Sequence, residues 1–268
     1  MELNLKRVIS WCLLALLVLV PLAISLVAAA SAQIKEVILI GVVAMASMGW
    51  LWLSLSDEDT KLRITPLLAV LGFNLLVWVL TLLASPYPEA GLATLSNRLA
   101  GLGALLLFGH FLGTRASLRH ALAFILVASS VMSIYGILQF FNLDPFLQTA
   151  GLEGHFRVSS TASHPNIFIT FLVACLPLNL AAFWLLGRGT ATRALVTLAL
   201  LLNVGASGAT LSRAGWGAWI LTLAFSVAGL WVLSRKPVDQ DPDEQTSGSS
   251  PILLKLGIPI LLAILALG

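Results

Sequence analysis

Long apolar runs, separated by short polar segments, fill most of this chain. Apolar runs of about 18 or more residues are long enough to cross a hydrocarbon core of about 30 Å as helices. The pattern predicts an all-α fold, a polytopic transmembrane helical bundle with about eight complete spans. The predicted spans are Val8–Ala30, Val37–Leu55, Leu67–Ala84, Leu99–Leu112, Ala121–Phe141, Ile167–Gly187, Ala194–Leu211 and Ala214–Ser234. The fourth is short as bounded, and we expect it to begin a few residues earlier, near Leu95.

The C-terminal part of the sequence predicts a loop and an incomplete ninth span. The segment 235–255 contains RKPVDQDPDEQTSGSS, which is charged and rich in proline and serine, and we expect a mobile cytoplasmic loop there. A further apolar run begins near Leu256 and is too short to span a membrane as it stands. We therefore expect residues 1–268 to form a single multi-pass membrane domain, truncated within its ninth span, that belongs to a longer chain.

The basic residues predict the orientation of the spans. With the N-terminus in the cytoplasm, eleven of the 15 Lys and Arg residues fall in cytoplasmic segments and four fall outside. This asymmetry follows the positive-inside rule. The outside four are Lys35, Arg98, Arg157 and Arg213.

Composition excludes several classes of protein. Hydrophobic residues make up 59% of the chain and charged residues 10%, against about 45–50% and about 25% in soluble domains. The net charge of +3 follows from the topology and forms no basic stripe, so we expect no nucleic-acid partner. Cys12 and Cys175 lie in apolar runs without metal-ligand spacing, and each is interpreted as a small core residue. We expect no metal and no cofactor.

Two polar stretches on the predicted outer face carry the candidate chemistry. Residues 157–166 read RVSSTASHPN, and residues 210–216 read TLSRAGW. Charged residues at membrane depth are costly and mark candidate sites, and guanidinium groups bind phosphate oxygens bidentately. Arg157 and Arg213 therefore indicate an anionic ligand, although either could simply extend to the lipid headgroups. Either the Asn166 side chain caps the next helix, or Pro165 marks its first turn.

The order of GILQFFNLDPF, RVSSTASHPN and TLSRAGWGAW resembles the O-antigen ligase and O-antigen polymerase superfamily. That family has an R-V-x-[GS]-T-x-x-x-P-N stretch before one helix and a T-x-S-R-G-A-W-like stretch at the start of another. The chain departs from the family at His164, where asparagine is common, and at Ala214–Gly215, where the family has Gly-Ala. The first pattern is matched by Arg157, Val158, Ser160, Thr161, Pro165 and Asn166. The second is approximated by Thr210, Ser212, Arg213, Ala214 and Trp216.

The resemblance implies an integral glycosyltransferase of the bacterial inner membrane with its site facing the periplasm. Such enzymes move a glycan from a polyprenyl diphosphate carrier to an acceptor glycan or lipid A core, without a metal. By this resemblance Arg157 and Arg213 would bind the diphosphate, and the substrate loop would contain Ser160, Thr161, Asn166 and Ser212.

The general base is a separate question. The resemblance places the usual base, a histidine, in a later loop that this chain does not reach, so the 268 residues alone are expected to be inactive. We interpret His164 first as a loop-positioning residue and retain it as a candidate catalytic residue.

Two other functions remain compatible with the sequence. A transporter or flippase for a lipid-linked oligosaccharide would also present arginines to a diphosphate, but it would need polar residues through the bilayer. The predicted spans contain few, namely Asn74, His110, Gln139, Asn179 and Asn203, and no acidic residue. A non-catalytic membrane scaffold is the second alternative, and it predicts that the two arginines are dispensable.

Overall fold

The computed structural model of this chain describes residues 2–24, 28–56, 66–144, 157–162, 164–186 and 189–235. In these ranges the regular structure is helical, as predicted, with eight α-helices and a short 3-10 turn at Ser160–Ala162. The α-helices are α1 (Glu2–Leu22), α2 (Ala28–Ser56), α3 (Pro66–Leu83), α4 (Pro88–Phe111), α5 (Arg115–Phe140), α6 (Pro165–Leu186), α7 (Thr190–Ala209) and α8 (Arg213–Arg235).

Five of the described helices are long and apolar enough to cross a membrane, which indicates a membrane protein. These are α1, α2, α5, α6 and α7, and α3 contains a shorter apolar stretch, Leu68–Leu83. The prediction of about eight complete spans is therefore not confirmed. The predicted ninth span, and the predicted loop from residue 236 onward, lie outside the described residues.

The boundary between the first two helices differs from the prediction because it lies inside an apolar run. Helix α1 ends at Leu22, directly after Pro21, and α2 begins at Ala28. Proline donates no backbone hydrogen bond and its ring clashes with the preceding turn, so it weakens the helix there. Hydropathy cannot detect such a break, and for this reason Lys35, expected in a loop, lies within α2.

Proline also sets the start of two helices, α4 at Pro88 and α6 at Pro165. The first amide of a helix has no partner within the helix, so proline costs nothing at that position. Helix α4 begins before Leu99, as expected, but also well before the expected start near Leu95, because its first turns contain polar residues that a hydropathy criterion rejects.

The chain divides into two compact units, and the first contains Met1–Val20 and Gln33–Thr114. Its apolar core is built from Ile9, Leu13, Val43 and Leu53, together with residues of α4 such as Leu107. Cys12 is exposed, so its interpretation as a core residue is wrong: it lies on an apolar helix surface, where a membrane protein has no need to bury it.

The second unit contains Pro21–Ala32 and Arg115–Gly268, and it includes the candidate site. Helices α5, α6 and α7 pack against one another, and α8 packs mainly on α6. The core near the site contains Met132, Phe168, Leu172 and Ala206, together with Val158 from the polar stretch. Cys175 is buried in this unit, as predicted.

Polar side chains inside the second unit bond to one another. The Ser133 hydroxyl donates to Asn203 Oδ1 at 3.2 Å, and Asn179 Nδ2 donates to Ser129 Oγ at 3.1 Å. None of these four residues is more than 2% exposed. Such pairs hold helices together in an apolar environment, because an unpaired polar group there is costly.

Candidate functional site

The site is built around the tight turn that joins α7 to α8. Helix α7 ends at Ala209, and Leu211 has a positive φ of 52°. A leucine in this left-handed region costs about 1–2 kcal/mol relative to its ordinary conformations. Ser212 then begins α8 as its N-cap, since its Oγ accepts the Gly215 N–H at 3.3 Å.

The polar stretch at residues 157–162 is fixed to this turn and to α5. The Val158 N–H donates to the Ala209 carbonyl at 3.4 Å, and the Val158 side chain is buried. Ser160 is fully buried with a positive φ of 50°; its N–H donates to Gln139 Oε1 at 2.7 Å and its hydroxyl donates to the Met132 carbonyl at 2.7 Å. These bonds overcome the unfavourable backbone conformation and hold the stretch against the bundle.

Arg157 connects the end of α7 to the start of α6. Its Nε donates to the Thr210 carbonyl at 3.2 Å, and its Nη2 donates to Asn166 Oδ1 at 3.0 Å. A cation at a helix C-terminus is favourable, because the last carbonyls lack partners within the helix. Arg157 thus has a structural role in addition to any role in binding.

The start of α6 resolves the two capping hypotheses. Pro165 is the first helical residue, and His164 is the N-cap: its Nδ1 accepts the Asn166 N–H at 3.2 Å and its carbonyl accepts the Phe168 N–H. The Asn166 side chain does not cap this helix, because its Oδ1 accepts from Arg157. The histidine takes the place that a capping asparagine or serine usually occupies.

Arg213 has a different environment from Arg157. It is the first residue of α8 and is exposed, and the first turn of that helix contains no acidic residue. A cation at a helix N-terminus is unfavourable by about 0.3–1 kcal/mol, because the helix dipole is positive there. Helix stability therefore does not explain this arginine, whereas a bound anion would.

Together these elements form an open cleft of about 860 Å³. Four of the predicted site residues line it, namely Arg157, Asn166, Ser212 and Arg213. Within the described ranges, neither arginine forms an ion pair. The cleft therefore presents two positive charges without a described carboxylate to neutralise them, which suits an anionic ligand.

Two cleft residues were missing from the predicted site. Trp216 belongs to the quoted motif but was given no role; its Nε1 donates to the Ser207 carbonyl at 3.1 Å. Leu211 also lines the cleft, and no sequence signal marks it, because leucine rarely adopts a positive φ.

The other three predicted site residues do not line the cleft. Ser160 and Thr161 are buried, and the Thr161 hydroxyl donates to the Pro21 carbonyl at 2.6 Å. His164 is exposed and serves as the cap of α6. Ser160 and Thr161 thus fix the loop behind Arg157, and His164 positions Asn166.

Two glycines permit the close packing that supports the cleft. A Cβ atom on Gly136 would lie 2.9 Å from Phe168 and 3.0 Å from Val158. A Cβ atom on Gly215 would lie 2.5 Å from Ile169. The first glycine lets the polar stretch contact α5, and the second lets the start of α8, with Arg213, contact α6.

A polar cluster at the end of α5 supports the loop from behind. Asn142, at φ 58°, and Leu143 close the helix with bonds to the Gln139 and Leu138 carbonyls, the pattern of a Schellman motif. The turn brings Asp144 back to α5, where its carboxylate accepts the Tyr135 hydroxyl at 2.7 Å and Gln139 Nε2 at 3.4 Å.

In the described part of the chain, no cluster of three or more His, Cys, Asp or Glu residues could hold a metal ion. No family model, curated protein or solved structure matches this chain.

Proposed function

We propose that this protein is a membrane glycosyltransferase that takes a glycan from a polyprenyl diphosphate carrier. The observation that carries the proposal is the cleft in which Arg157 and Arg213 meet Asn166 and Ser212. The acceptor is a glycan, either lipid A core or a growing polymer. The charge asymmetry of the sequence supports a cytoplasmic N-terminus, with the cleft on the periplasmic face of a bacterial inner membrane.

The two arginines would stabilise the leaving group. The acceptor hydroxyl oxygen attacks the anomeric carbon, the bond from that carbon to the diphosphate oxygen breaks, and the electron pair remains on the diphosphate. Positive groups next to this developing charge lower the barrier, and the Arg157 guanidinium, which is already held in place, needs no rearrangement during the reaction. Asn166 holds the Arg157 guanidinium, and the Ser212 cap holds the start of α8, which carries Arg213.

The proton of the acceptor hydroxyl goes to a general base. We do not assign this role to His164, because its Nδ1 accepts the Asn166 N–H and its side chain does not line the cleft. The base therefore lies outside the set of cleft residues described above.

The buried polar residues of the second unit favour this function over transport. A flippase needs polar groups along a path through the bilayer. The Ser133–Asn203 and Ser129–Asn179 pairs instead bond within the helix bundle. These pairs are typical of helix packing.

The test is glycan transfer from a polyprenyl diphosphate carrier, measured with the full-length protein in membranes. We expect Arg157→Ala and Arg213→Ala each to reduce transfer at least about tenfold to hundredfold, since hydrogen bonds to charged groups contribute about 1.5–3 kcal/mol. Arg157→Lys and Arg213→Lys should recover little, because lysine lacks the planar fork.

Arg193→Ala is the matched control. Arg193 is an exposed arginine in the first turn of α7, about 24 Å along the helix from the cleft. Normal transfer by both cleft variants, at normal membrane insertion, would refute the proposal and favour a scaffold. Carrier binding without transfer by the unmodified full-length protein would favour a transporter.

A further inference from the structure

A second concavity lies beside the arginine cleft, and the two share one residue. This groove has a volume of about 400 Å³, and Leu211 lines both the groove and the cleft. Its other walls include Phe140 and Phe141 at the end of α5 and Gly205 and Gly208 on α7. None of the described residues that line the groove is charged, so its surface suits a hydrocarbon chain.

The two glycines keep the groove open, and helix packing does not require them. A Cβ atom on Gly208 would have no atom within 4 Å, and one on Gly205 would make an ordinary contact of 3.7 Å with Ile137. Glycine makes a helix less stable than alanine does. At these two positions no neighbouring helix of the described chain comes close enough to require a glycine, so the loss of helix stability has no explanation in packing. The gain is space beside Phe140 and Phe141.

Leu211 is the second unusual feature of this boundary. Its φ of 52° is a conformation that glycine or asparagine adopts at lower cost. Its side chain is half-exposed, at the point where the charged cleft meets the apolar groove. Strained backbone persists where the surrounding structure holds it and often marks a binding site.

We infer that the groove binds the isoprenoid tail of the same carrier molecule whose diphosphate lies in the arginine cleft. The inference rests on the proposed function. It adds that the protein recognises the part of the isoprenoid tail next to the diphosphate, as well as the charge of the diphosphate itself. The occupant follows from continuity: an anionic head between Arg157 and Arg213 would lie in the cleft that Leu211 lines, and the same residue lines the apolar groove.

The test measures ligand binding to the full chain in nanodiscs, with inorganic diphosphate as the head alone and farnesyl diphosphate as head plus tail. Gly208→Leu fills the groove, and Gly208→Ala fills it only in part. Gly217→Leu on α8 is the matched control, because a Cβ atom there also has no atom within 4 Å. The tail partitions into the bilayer with every variant, so comparing variants isolates the groove.

We expect Gly208→Leu to weaken farnesyl diphosphate binding at least tenfold and to leave inorganic diphosphate binding unchanged. Gly208→Ala should have a smaller effect and Gly217→Leu none. Unchanged binding of farnesyl diphosphate to Gly208→Leu would overturn the inference and leave the proposed function intact. An equal loss of affinity for both ligands in Gly208→Leu would also overturn the inference, because the substitution would then act on the arginine cleft. If the unmodified chain bound neither ligand, the proposed function would fail as well.

Discussion

The side-chain amide of Gln139 links Asp144 to the backbone of Ser160. Its Oε1 accepts the Ser160 N–H at 2.7 Å, while its Nε2 donates to Asp144 at 3.4 Å. Because the Asp144 carboxylate can only accept hydrogen bonds, it pairs with the Nε2 end of the Gln139 amide and leaves the Oε1 end facing Ser160. Through this link the end of α5 determines the position of the loop that contains Arg157.

Exchanging the amide of Gln139 and the carboxylate of Asp144 between the two positions tests this link. Gln139→Glu should lower the free energy of unfolding by about 1–3 kcal/mol, because it places two carboxylates together in a buried site. Adding Asp144→Asn should restore most of that loss, since the amide introduced at position 144 then donates to the carboxylate introduced at position 139. Thermal unfolding in detergent measures both variants. A double variant no more stable than Gln139→Glu would show that the link contributes nothing.

His164 offers a test that separates capping from catalysis. His164→Ala should destabilise the protein by about 0.5–2 kcal/mol, because the Asn166 N–H loses its acceptor. His164→Asn should retain both stability and the proposed glycan transfer, since asparagine is a preferred N-cap residue. Thermal unfolding and transfer assays on the full-length protein provide the two measurements. Loss of transfer in a stable His164→Asn variant would instead assign the histidine a catalytic role.

The two arginines should differ in their effect on stability. Arg157→Ala should lower the free energy of unfolding by about 1–3 kcal/mol, because the Thr210 carbonyl and Asn166 Oδ1 lose a charged donor. Arg213→Ala should leave it unchanged or raise it by about 0.3–1 kcal/mol, since a cation is removed from a helix N-terminus. Equal destabilisation by both variants, measured by thermal unfolding without ligand, would contradict this distinction.

Gly136 should tolerate no side chain. Gly136→Ala should destabilise the protein by about 1–3 kcal/mol, since the new methyl group would overlap Phe168 and Val158. Gly217→Ala is the control: it has open space and should stabilise α8 by up to about 1 kcal/mol. Thermal unfolding compares the two, and a neutral Gly136→Ala would mean that the loop can move away from α5 at no cost.

Hydropathy predicted the helical class but not the ends of several helices. The break after Pro21 lies inside an apolar run, and the first turns of α4 are polar, so neither follows from the distribution of apolar residues. The number of complete spans depends on such boundaries. Eight complete spans are therefore not confirmed: in the described part of the chain, five helices are long and apolar enough to cross a membrane.

The candidate site was predictable where charge identifies it. Arg157 and Arg213 stand out in an apolar chain, and both line the cleft. Leu211 and Gln139 did not stand out as site residues, because their roles depend on a backbone angle and on a hydrogen bond to Ser160. His164 was ambiguous in the sequence, since a ring nitrogen serves equally well as a cap or as a base.

The anchoring of Arg157 has a consequence for ligand recognition. Its guanidinium is held at Nε by Thr210 and at Nη2 by Asn166 before any ligand binds. Ligand binding therefore orders the Arg157 side chain very little further, because the conformational entropy of this side chain is already lost when the protein folds. Arg213 has no such anchor among the described residues and must be ordered by the ligand itself. The cleft thus combines one preorganised guanidinium with one adaptable guanidinium. In the proposed reaction, this pair would suit a diphosphate whose geometry changes as its bond to the sugar breaks.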